Sequence, residues 1–141
     1  MNIPVNYVAV LLAAVAAMVV GFVWYSPMLF GKQWMRLMGL TQEKMKEAQK
    51  EMMKTYAVSF VLALLTAYVL THVMAMSENF FHYSRLATGL SSAFWMWLGF
   101  IMPVQATDVL FGGKKWSLFG INTGYQLVAV LAMGIVLGLM G

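Results

Sequence analysis

The side chains able to do polar chemistry within this apolar sequence gather in two short stretches. Gln105, Thr107 and Asp108 leave the third of its four apolar spans, and Asn122 and Gln126 begin the fourth. Asn122 and Gln126 stand four residues apart and share one face of a helix. Asp108 is the one acid at that boundary, and a carboxylate at such a depth must pair with a cation, cap a helix or bind something. Lys114 and Lys115 are the cations close to it in sequence. Amides, a carboxylate and a phenol together coordinate ions or hydrogen-bond small solutes. The candidate ligand-binding set is therefore Asp108, Gln105, Asn122, Gln126 and Tyr25.

The elements that must position this set are stretches 5–23, 56–76, 86–104 and 119–140, none of which contains Asp, Glu, Lys or Arg. Each is 19 to 22 residues long, and about 20 apolar residues as helix cross a hydrocarbon core of about 30 Å. With 62% hydrophobic and 10% charged residues, a soluble fold would lack the polar surface to cover its apolar mass. Continuous rather than alternating apolarity selects helices over a barrel. The sequence thus predicts an all-α integral membrane four-helix bundle, one domain over 1–141. The first span lacks the positive flank of a secretory signal and reads as an uncleaved helix.

Lys and Arg are distributed unevenly. Residues 26–55 carry Lys32, Arg36, Lys44, Lys46, Lys50 and Lys54, and 105–118 carry Lys114 and Lys115, whereas 77–85 hold only Arg85. Basic connections stay on the cytoplasmic side, which predicts an N-out, C-out topology. The net charge of +4 then reports orientation and implies no nucleic-acid partner. Thr41 is a helix N-cap after the break at Gly39, and 42–76 contain no Gly or Pro, so the second helix is expected to extend unbroken into the cytoplasm.

The absence of cysteine excludes disulfides, thiolate catalysis and Cys-based metal sites. His72, Met74, Met76 and His82 invite a soft-metal reading, but Met74 points away from the face shared by His72 and Met76. No metal and no cofactor is expected. Trp95 and Trp97 lie two apart in the third span, so at least one indole N–H needs a buried partner, and core packing is the expected role.

Small residues mark where helices meet: Ala9, Ala13, Ala17 and Gly21 in the first span, Ala63 and Ala67 in the second, Gly134 and Gly138 in the fourth. Close backbone approach along such stripes packs helices in lipid, and their number predicts a homo-oligomer. Leu29-Phe30-Gly31 and Leu110-Phe111-Gly112, each followed by Lys and Trp, form a weak internal repeat.

The segment Gly21-Phe22-Val23-Trp24-Tyr25-Ser26-Pro27-Met28-Leu29-Phe30-Gly31-Lys32-Gln33-Trp34 resembles the signature of a family of small bacterial four-span membrane proteins catalogued as a domain of unknown function. The resemblance covers nearly the whole chain and implies fold, topology and the bacterial inner membrane; it carries no activity. In physical terms Pro27 ends a helix and Gly31 permits a turn that folds Phe30 back, so that Trp24, Pro27, Phe30, Gly31 and Trp34 plug or gate the inner end.

Three roles follow. The favoured one is an oligomeric channel- or transporter-like protein that binds an ion or small solute in a cytoplasmic-side polar pocket. The second is a non-catalytic assembly or lipid-interacting subunit in the bilayer. The third and weakest is a four-span membrane enzyme resembling the glutathione-using family; the spans carry no arginine for an anionic cofactor and the chain no nucleophile motif, so no enzyme is expected.

Overall fold

The computed structural model describes residues 5–81 and 84–140. Among these residues seven α-helices follow one another: α1 Tyr7–Trp24, α2 Gly31–Met38, α3 Gln42–Gln49, α4 Met52–Phe81, α5 Arg85–Met96, α6 Met102–Gly112 and α7 Trp116–Met140. A π-helical turn, Trp97–Ile101, joins α5 to α6. Among the described residues four stretches are long and apolar enough to cross a membrane: Tyr7–Trp24, Met52–Glu78, Arg85–Gly112 and Trp116–Met140. Three helix starts are capped by short polar side chains that satisfy otherwise orphaned amides. Asn6 accepts the Ala9 N–H at 3.2 Å, Thr41 the Lys44 N–H at 3.3 Å and Ser84 the Ala87 N–H at 3.2 Å.

The spans run up and down in turn and close a ring in the order α1, α4, α5, α7. Antiparallel α1 and α7 are tied at both ends. The Asn6 amide donates to the Met140 carbonyl at 2.9 Å, and Trp24 and Tyr25 reach Ile121 and Asn122 at the other end. That second end, bearing the Lys-rich connections, is here called the basic end.

The small-residue stripes are spent inside one subunit. Ala9, Ala13, Ala17 and Ala67 are buried in the shared core with Leu70, Met74 and Met133, and Ala63 packs against it. At the α5–α7 crossing, a Cβ on Gly89 would lie 2.2 Å from the Gly134 carbonyl oxygen, and one on Gly138 would lie 2.8 Å from Leu86 Cα. These contacts remove the stripes as an argument for a homo-oligomer, because the surfaces they would offer a second copy are already occupied. Large side chains such as Leu65 and Phe100 are left facing out, as suits a bilayer that is as apolar as they are.

Several local expectations change. Instead of one helix over 42–76, the chain tightens at Lys50 and Glu51, whose amides donate to the Glu47 and Ala48 carbonyls, three residues back. The extension is thus a separate helix, α3, joined to α4 by a tight turn. Trp97 is the partly buried indole and donates to the Thr123 carbonyl at 2.9 Å, while Trp95 is exposed and takes no part in the core. Trp97→Phe is expected to lower stability by about 1 kcal/mol, the worth of one such bond, in a thermal melt in detergent where Trp95→Phe changes little. The repeat is not matched locally either. Gly31 starts α2 with Phe30 folded on Trp24, whereas Gly112 ends α6 with Phe111 exposed. The π-helical turn precedes Pro103, which has no N–H to give the carbonyl four residues back; Met102 N–H bonds to the Trp97 carbonyl instead.

Candidate functional site

The site is built on the hairpin that follows α1. The Phe30 and Gly31 amides donate to the Trp24 and Ser26 carbonyls at 3.1 and 3.0 Å, reversing the chain within six residues. Gly31 is needed there for closeness and not for a left-handed turn: a Cβ would sit 2.3 Å from the Tyr25 carbonyl oxygen, while positive φ occurs at Gly39 and Gly113. The expectation that Gly31 supplies turn freedom is corrected accordingly. Phe30 stacks on Trp24 at 4.8 Å, and Trp34 of α2 meets Tyr25 edge-on at 5.7 Å.

Both ends of this clamp bind α7. The Trp24 indole donates to the Ile121 carbonyl at 2.9 Å, and its ring lies over Gly124, where a Cβ would come within 3.0 Å of it. The Tyr25 hydroxyl donates to Asn122 Oδ1 at 2.7 Å, with Tyr125 against its ring at 5.3 Å. Burial, and then the Tyr125 phenol, push the Tyr25 hydroxyl up to about 12, so it stays a neutral donor. From α6, Gln105 accepts a hydrogen bond from the Thr123 hydroxyl, and Asp108 pairs with Lys114. Pairing with Lys114 was one of the outcomes open to Asp108 in the sequence.

Asp108, Gln105, Asn122, Gln126 and Tyr25 all line one cavity of about 210 Å³. Residues more than 100 positions apart in the chain are thereby brought to one place. Lys114, Phe119 and Tyr125 also line it. Tyr125 was missed because an aromatic residue inside a span ordinarily reads as packing; its spacing of three from Asn122 was the available signal. Thr107 does not reach the cavity, since its exposed hydroxyl returns to the Pro103 carbonyl at 2.8 Å. Trp24, Pro27, Phe30, Gly31 and Trp34 are absent from the lining. Trp34 and Gly31 stand against Tyr25, Trp24 and Phe30 pack on one another, and Pro27 is exposed.

The lining carries one carboxylate and one ammonium, and is therefore balanced in charge, with three amides and two phenols around them. Such a surface can hold a small polar molecule through several hydrogen bonds. Among the described residues no three His, Asp or Glu side chains stand close enough to hold a metal ion. His72 lies on Tyr68 and bonds its carbonyl at 2.9 Å, Met74 is buried, Met76 is exposed, and His82 lies outside the described residues.

A family model described as "Protein of unknown function (DUF1761)" matches residues 8–138. The chain belongs to that family. The match takes in all but the outermost residues of the four membrane-length helices and the whole cavity lining, so the site lies within the part shared with the family. No curated protein and no solved structure matches the chain.

Proposed function

We propose that this DUF1761 member is a channel- or transporter-like membrane protein that takes an ion or small solute into the Asp108–Gln126 cavity from the cytoplasmic side of a bacterial inner membrane. The observation that carries the reading is the convergence of Tyr25, Gln105, Asp108, Asn122 and Gln126, from three separate parts of the chain, on one cavity of about 210 Å³. The Lys-rich connections at that end favour the cytoplasmic face. The reading is one of binding, because amides, phenols and a single ion pair line the cavity.

The exposed Asp108–Lys114 pair contributes little to folding: its side chains are 55% and 51% exposed, and pairs of that kind are worth about 0–1 kcal/mol. Asp108→Asn is therefore expected to leave the melting behaviour nearly unchanged while abolishing retention of the solute. Native mass spectrometry of protein gently extracted from its own membrane reads the retained mass and the subunit number together. A discrete non-lipid mass lost in Asp108→Asn supports the proposal; lipid alone in both proteins refutes it.

A second reading, an assembly subunit, is favoured by α3. All of its described side chains are exposed, and among the described residues the charged helix makes no substantial contact with a span. Deleting 42–49 would then release a co-purifying partner without changing the melt of the bundle.

A further inference from the structure

α4 packs on α5, but among the described residues it makes no substantial contact with α6. Beside the site cavity lies one of about 340 Å³, between α1 and α4, lined by Gly21, Tyr56 and Ser59 among others. Deeper lies one of about 210 Å³ lined by Ser59, Ala63, Thr66, Gln126 and Met133. Tyr125 borders all three, and Gln126 borders both the site cavity and the deep one.

The deep chamber is at mid-bundle. Gln126 is ten residues into α7, about 15 Å along a helix of about 37 Å, and Thr66 is near the middle of α4. Its polar groups are hydroxyls and an amide, without Asp, Glu, Lys, Arg or His. Gln126 makes no side-chain hydrogen bond among the described residues; an amide facing hydrocarbon alone would be costly, whereas one facing a hydrated chamber is not. Beyond the chamber Ala13 and Ala67 (each 0% exposed) and Leu70 (1%) close the path. Past them a cavity of about 240 Å³ lined by Asn6, Thr71 and Arg85 opens at the other end.

Packed edge-on against Tyr25, Tyr125 borders both the chamber and the site cavity. Its hydroxyl reaches the Ala17 carbonyl at a long 3.4 Å, and the space beside that hydroxyl is kept by Gly21. Rotation of this one side chain would join the two volumes.

We infer that the solute is small, net-neutral and hydrogen-bonding, in the class of urea or a short polyol, and that it passes Tyr125 into the chamber of Ser59, Thr66 and Gln126. This rests on the solute-binding reading of the site cavity. Hydroxyls and an amide replace the hydrogen bonds such a molecule leaves in water, whereas an ion would meet no counter-charge at that depth. Charge selection ends at the Asp108–Lys114 mouth, and the apolar seal holds the far side shut.

Because the chain has no cysteine, single cysteines report alone. Ser59→Cys, Thr66→Cys and Leu70→Cys in the full chain are reconstituted in liposomes and treated with methyl methanethiosulfonate, which reacts with the thiolate and so with a hydrated thiol. The expected result is that Ser59→Cys and Thr66→Cys react about tenfold or more faster than Leu70→Cys, following their thiolate fractions. Adding Tyr125→Ala should accelerate Thr66→Cys further, while a trimethylammonium reagent of the same reactivity leaves Thr66→Cys untouched. Reaction of Thr66→Cys as slow as Leu70→Cys would remove the hydrated chamber; labelling by the cationic reagent as fast as by the neutral one would remove the neutral-solute class. A labelled Thr66→Cys in a protein that retains only lipid would sink the site-cavity reading instead and leave the chamber standing, so the two failures are distinct.

Discussion

Gly134→Ala should be among the most damaging single-methyl changes in this chain. The new Cβ would lie 2.5 Å from the Gly89 carbonyl oxygen and 2.8 Å from its carbon, so the obstacle is backbone and cannot rotate away. Overpacking against movable side chains costs about 1–3 kcal/mol; here whole helices must separate, and a loss of about 3 kcal/mol or more is expected. Gly120→Ala is the control. It is in the same helix with nothing within 4 Å of its Cβ position, and removing a helical glycine from open space should gain about 0.5–1 kcal/mol. Thermal melts of the two variants in one detergent decide the matter. Equal melting would mean that α5 and α7 do not cross at these glycines.

The second large effect is expected at Gly31→Ala. The methyl would stand 2.3 Å from the Tyr25 carbonyl oxygen and 2.8 Å from the Ser26 carbonyl, again backbone. Expelling α2 would pull Trp34 from Tyr25 and loosen the hydroxyl that holds Asn122. A loss of about 2–3 kcal/mol is expected, with solute retention lost even in protein that remains folded. Gly39→Ala separates this from ordinary turn strain: its φ of +69° disfavours a side chain, but the space is open, so about 1 kcal/mol is expected and retention should survive. Retention by Gly31→Ala equal to that of the unaltered chain would show that the hairpin does not position Tyr25.

The spans were legible because membrane helices announce themselves by continuous apolarity, and so was the cap at Thr41, a short polar side chain that starts α3 where an amide lacks a partner. Convergence of the polar set could be anticipated because Gln105, Asp108, Asn122 and Gln126 lie on either side of one short connection. What was not legible depended on distance in space. A glycine stripe looks the same whether it faces its own subunit or another, and only the Gly89–Gly134 contact shows which. Tyr125 carries no sign in sequence that three cavities meet at it. The break at Lys50 involves no Gly or Pro, and so no residue type that would mark it.

The wide turn at Trp97–Ile101 also sets the angular phase of the third span. Trp97 and Gln105 both bond Thr123, one to its carbonyl and the other to its hydroxyl. Over eight steps a regular α-helix advances about 800°, leaving the two side chains about 80° apart; a turn that takes in one extra residue returns about 100° and brings them within about 20° of one another. Alignment of the site with α7 is therefore a matter of residue count. Adding or deleting one residue between 97 and 101 would leave hydropathy and composition nearly untouched, yet swing Gln105 and Asp108 away from the cavity they line.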